Sequence, residues 1–137
     1  MIPQEPVLQL EMIPTDYVRV VWPMVVDRMK ALASEYGDGW IAEDVFVDLV
    51  AGGAYLWGTE NLEGFVVLTI LTAPWGKDLN VWIADNETLQ RAAVYWEQLK
   101  QIARDNGCQR VVFESEREGF TKAIPSLEVR YRYFEIV

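Results

Sequence analysis

Residues 65–107 read FVVLTILTAPWGKDLNVWIADNETLQRAAVYWEQLKQIARDNG. The run Phe65 to Thr72 and the shorter run Leu79 to Ala84 are rich in β-branched side chains, and the break Pro74 to Asp78 separates them, which predicts two antiparallel strands. Beyond them Leu89, Ala92, Trp96, Leu99 and Ala103 recur at intervals of three and four, with Ala93 and Ile102 widening the stripe. That spacing predicts an amphipathic helix from about Glu87 to Asn106. Asp85 or Asn86 is placed to cap its start, and Arg104 and Gly107 mark its end.

Working outward, Ala54 to Trp57 reads as a third strand, joined to Phe65 by a turn around Thr59 to Asn61. Glu43 to Ala51 reads as a short helix with Val45, Phe46, Leu49 and Val50 facing inward and Gly52-Gly53 as its stop. Val25, Met29, Leu32 and Tyr36 form one stripe of an earlier helix ended by Gly37. Pro23 is expected in that helix's first turn, which leaves Tyr17 to Trp22 as loop or a separate short turn. Val7 to Ile13 opens the chain as a strand. After the long helix come a short strand at Arg110 to Phe113, a helix at Arg117 to Ile124, a stop at Pro125 and a closing aromatic strand at Glu128 to Val137. The order is β, α, α, β, β, β, α, β, α, β, within a single domain spanning 1–137.

The chain has 137 residues, 51% hydrophobic and 24% charged, a balance that supports one packed core and argues against disorder. Its net charge is -9, and the excess is uneven: residues 1 to 64 hold three basic and eleven acidic side chains. A field of that sign opposes a phosphate backbone or an anionic membrane surface, so neither nucleic acid nor membrane is expected as a partner. Histidine is absent and Cys108 is the single cysteine, which excludes Ser-His-Asp and Cys-His catalysis and an internal disulfide, and removes the usual zinc ligands. No metal is expected. Cys108, between a helix stop and a strand, reads as a half-buried structural thiol. The opening residues show no basic region followed by an apolar run, and Gly64 to Pro74 is too short to span a bilayer, so an intracellular, soluble protein is expected.

The element order, with Thr15-Asp16-Tyr17 and Trp22-Pro23 at its start, Gly52-Gly53 before Tyr55-Leu56-Trp57, and Arg117-Glu118-Gly119-Phe120 before the last strand, resembles the acyl-CoA N-acyltransferase (GNAT) superfamily. Within it, the chain is similar to the small GNAT-like proteins of tailed bacteriophages. The resemblance implies an α/β (α+β) fold, a mixed, mostly antiparallel twisted sheet of about six strands with about four helices packed on it. It also implies a host cytoplasm or virion location.

The resemblance further implies an acetyl-CoA cleft beside the fourth strand, lined by Val81, Trp82, Ile83, Ala84, Asn86 and Thr88. In the superfamily the turn that follows carries glycines and a basic residue, whose backbone N–H groups cradle the diphosphate. Here Ile83 to Leu89 contains neither, and Asp85 and Glu87 bring negative charge to that place. Glu114 and Asp85 are the carboxylates placed to act as a catalytic base; their structural readings are a solvated strand end and a helix cap. Phe120 stands where the superfamily's acid would be a tyrosine. Trp82 is expected to plug or line the cleft, while Trp22, Trp40 and Trp75 fall in loops. These features favour a non-catalytic interaction module with a protein partner and no cofactor. The competing expectation is an N-acetyltransferase that uses acetyl-CoA through an altered site.

Overall fold

The computed structural model describes residues 9–36, 40–85, 88 and 91–113. In chain order they form β1 (Glu11–Met12), a 3-10 turn at Thr15–Tyr17, α1 (Val18–Tyr36), α2 (Ala42–Ala51), β2 (Tyr55–Gly58), a second 3-10 turn at Glu60–Leu62, β3 (Phe65–Ala73), β4 (Gly76–Ala84), α3 (Ala92–Asp105) and β5 (Arg110–Phe113). The expected helix at Arg117 to Ile124 and strand at Glu128 to Val137 lie outside the described residues.

The five strands lie in chain order in one sheet. The first three pairings are antiparallel and β4 pairs with β5 in parallel, α3 serving as the crossover. Helices α1 and α2 cover one face, packing Val25, Met29, Val45 and Leu49 on Leu56, Phe65 and Val67. Helix α3 covers the other, packing Tyr95, Leu99 and Ile102 on Val66, Leu68 and Leu79. Side chains of this size contribute about 1.5–3 kcal/mol each when fully buried, so the three-layer arrangement draws its stability from both faces of β3.

Several boundaries differ from expectation for identifiable reasons. Pro74 and Trp75 form a two-residue turn closed by the Ala73–Gly76 pair, so Lys77 and Asp78 belong to β4 rather than to a break. Gly76 has φ +137, and a Cβ there would stand 2.7 Å from the Gln109 side chain. Asp78, charged yet only 6% exposed, is tolerated in the strand because Arg110 of β5 grips it with both arms, Nε to Oδ1 at 2.9 Å and Nη2 to Oδ2 at 2.7 Å.

Pro23 lies inside α1, not in its first turn, and Trp22 is helical rather than in a loop. The missing proline N–H leaves the Arg19 carbonyl without its helical donor. Packing offsets that loss: Val18 and Val21, before the proline, are buried on the same face as Val25, and Trp22 lies 5.1 Å from Phe46 of α2. Of the described residues 9–13 of the expected Val7 to Ile13 strand, β1 takes Glu11 and Met12. Its neighbour Leu10 is held instead by α3, because Gln98 accepts the Leu10 N–H at 2.8 Å and donates to its carbonyl at 2.6 Å.

Within the expected span Glu87 to Asn106, Thr88 is helical and α3 runs from Ala92 to Asp105, the two separated at Arg91, which takes non-helical dihedrals. The inward face of α3 includes Tyr95, 1% exposed, which the stripe had omitted, whereas Ala93 is exposed.

Candidate functional site

The place where β4 hands over to α3 is built by a bulge. Val67 pairs with Ile83 but Leu68 pairs with Val81, so Trp82 is an extra residue in β4. Leu79 and Val81 face α3, as strand alternation requires; Trp82 and Ile83 then both face α1 and α2, and Ala84 returns to the α3 side. The Trp82 indole accordingly packs on the α1–α2 face, edge-on to Trp40 with ring centroids 6.0 Å apart. Among the described residues β4 pairs with β5 only from Asp78 to Val81. Trp82, the bulged residue, and Ile83 and Ala84 lie past this described stretch of the ladder.

The next residue, Asp85, is 4% exposed. Its N–H donates to the Phe65 carbonyl at 3.1 Å, which carries the β3 ladder one step past Ala84. Its Oδ1 accepts the Thr88 N–H at 2.9 Å, the bond expected of a helix cap. Its Oδ2 meets Arg28 Nη1 at 3.1 Å. Thr88 is equally buried and donates its hydroxyl to the Phe65 carbonyl at 3.3 Å.

Arg28 is the residue that sequence reasoning missed. It comes from α1, 57 positions from Asp85, on the side of the helix that faces the turn. Beyond Asp85, its guanidinium donates to the carbonyls of Glu63 at 2.8 Å, Met24 at 3.2 Å and Leu62, and it lies over the Phe65 ring at 5.0 Å. Only the four-residue spacing from Met24 is local; nothing in the sequence joins Arg28 to Asp85. The charge of Asp85 is thus compensated from α1.

Of the expected site residues, Val81, Trp82, Ile83, Ala84, Asp85 and Thr88 gather at this one end of β4. Trp82 and Ile83 face α1 and α2, while Val81 and Ala84 face α3. Asn86 and Glu114 lie outside the described residues. Cys108 stands apart, at the start of β5, and is buried rather than half-buried. Burial pushes its thiol pKa upward, with Lys77 lowering and Asp78 raising it to lesser extents. Among the described residues no three acidic or cysteine side chains converge as metal ligands.

A diphosphate needs donors that are open to it. Several donors at this turn are engaged: Thr88 N–H on Asp85, the Thr88 hydroxyl on Phe65, and four of the five Arg28 N–H groups on Asp85 and three carbonyls. The buried Asp85 carboxylate itself would repel the incoming charge. Asp85, Thr88 and Arg28 thus satisfy one another at this turn, and these bonds would have to open for the same groups to meet a diphosphate.

No family model matches the chain, and no curated protein matches it. Solved structures do. An integron cassette protein from the mobile metagenome of Cole Harbour Salt Marsh is 16% identical with a TM-score of 0.65, over 94% of this chain and 90% of that one. An aminoglycoside acetyltransferase from an uncultured soil metagenomic sample, solved in complex with sisomicin, is 13% identical with a TM-score of 0.63, over 96% of both chains. The ribosomal-protein-alanine N-acetyltransferase of Brucella melitensis is 15% identical with a TM-score of 0.60, over 95% and 96%.

The chain thus has the same fold as these solved structures, two of which are acetyltransferases. At these identities the likeness establishes architecture, and the chemistry of the site is left to the chain's own residues.

Proposed function

We infer that the chain is a GNAT-fold interaction module with a degenerate acetyl-CoA site, non-catalytic, carried by a tailed bacteriophage, and directed at a protein of the virion or the host. The observation that supports this reading most is the turn after β4, where the Asp85 carboxylate takes the Thr88 N–H and the Arg28 guanidinium. The missing glycines, the absence of histidine and the uneven negative charge point the same way. Differential scanning fluorimetry with acetyl-CoA tests it. Millimolar ligand is expected to leave the melting temperature unchanged; a saturating rise would overturn the reading, since a ligand at 100 times its Kd adds about 2.7 kcal/mol.

One observation favours a second reading, N-acetyltransferase activity. The end of β4, past Val81, runs beyond the described β4–β5 ladder and carries the bulge at Trp82; in this reading backbone groups there would pair with an extended amide-bearing chain. Since both Asp85 oxygens are engaged, the base in this reading is Glu114. Release of free thiol from acetyl-CoA in the presence of a panel of amines, lost on Glu114→Gln, would establish it.

A further inference from the structure

The geometry points to the Arg28–Asp85 pair as a built-in counter-anion that decides which ligands this end of the fold rejects: the Asp85 carboxylate takes the Arg28 guanidinium and the Thr88 N–H, two donors that an external anion would otherwise meet here. The inference rests on the degenerate-site reading above and gives it a cause.

Three independent features carry it. The carboxylate is buried, and each of its oxygens has a donor, one from the backbone at the start of the helical segment and one from a guanidinium. A buried charge persists only when paired in this way. The guanidinium is in turn fixed by three backbone carbonyls and by the Phe65 ring, so it is not free to swing toward an incoming anion. Finally, the pair ties together four separate segments, namely α1, the Glu60–Leu62 turn, the start of β3 and the end of β4. An anion entering here would have to displace a carboxylate already bonded to the same donors, at a cost in desolvation on both sides. Neutralising Asp85 alone should therefore convert the place from anion-rejecting to anion-accepting, with Arg28 as the exposed cation.

Inorganic pyrophosphate is the probe, read by thermal shift and by equilibrium dialysis at constant ionic strength. The wild type, Asp85→Asn, Asp85→Ser and the double variant Arg28→Gln/Asp85→Asn are compared. Asn keeps the shape and the cap acceptor, so at least one neutral variant retains the turn. The expected result is no binding to the wild type, at least about tenfold tighter binding to Asp85→Asn or Asp85→Ser, and loss of that gain in the double variant. Equal pyrophosphate binding by all four proteins, or none by either neutral variant, would overturn the inference. The outcome is separable from that of the functional reading. Acetyl-CoA binding to the wild type defeats the module, whereas the inference stands or falls on whether neutralising Asp85 changes pyrophosphate affinity.

Discussion

Cys108 shows how a single buried group links local environment to a measurable property. Its thiol pKa is raised by burial, so the folded chain holds the proton at pH values where an unfolded cysteine, near about 8.5, releases it. Above that pH the unfolded state binds fewer protons than the folded one, and stability contributed by the neutral thiol is lost as pH rises toward the folded value. Denaturant titrations at pH 7 and pH 9 are expected to show a fall in unfolding free energy that is smaller in Cys108→Ala; an equal fall in both would contradict the assignment. The sequence placed this cysteine at a helix stop before a strand, which was enough to predict a structural role. The extent of burial was not legible, because it depends on α3 closing over residues distant in sequence. The same limit hid Arg28. Asp85 was recognisable as a helix cap from its position alone, but its partner lies 57 residues away and no local pattern joins them.

At the level of elements, hydrophobic periodicity carried most of the reading. Met29 and Leu32, Val45 and Leu49, and Leu99 with Ala103 are buried where three- and four-residue spacing put them. Proline chemistry was the weaker guide. The rule that proline avoids helix interiors moved the expected start of α1 past Trp22, whereas the helix begins at Val18 because packing against α2 outweighs one lost hydrogen bond. Relief of that conflict is measurable. Pro23→Ala restores a donor to the Arg19 carbonyl and is expected to raise unfolding free energy by about 1–3 kcal/mol, read as an increased urea midpoint; a lowered midpoint would mean that the ring itself is needed where it sits. The bulge in β4 had no signal at all. Val81, Trp82 and Ile83 form an unbroken apolar run, and alternation cannot show where such a run gains an extra residue.

Across the whole molecule, a net charge of -9 on 137 residues works against compaction. The Debye length shrinks from about 30 Å to about 8 Å between 0.01 and 0.15 M salt, so repulsion among the surface carboxylates is screened over that range. The melting temperature is expected to rise with added sodium chloride at fixed pH. A fall would mean that attractive pairs, among them Arg28 with Asp85 and Arg110 with Asp78, outweigh the surface repulsion.

The two interiors of this protein are separated by a sheet one residue thick, and Trp82 sets which of them each later side chain of β4 enters. Were the bulge drawn out into a regular pleat with Trp82 kept, two addresses would be exchanged. The branched Ile83 would be driven beneath α3, the small Ala84 would be left to fill a space under the paired helices, and Asp85 would be drawn a step out of reach of its guanidinium. A phase shift at one peptide unit therefore governs packing on both sides of the molecule and the charge at its end.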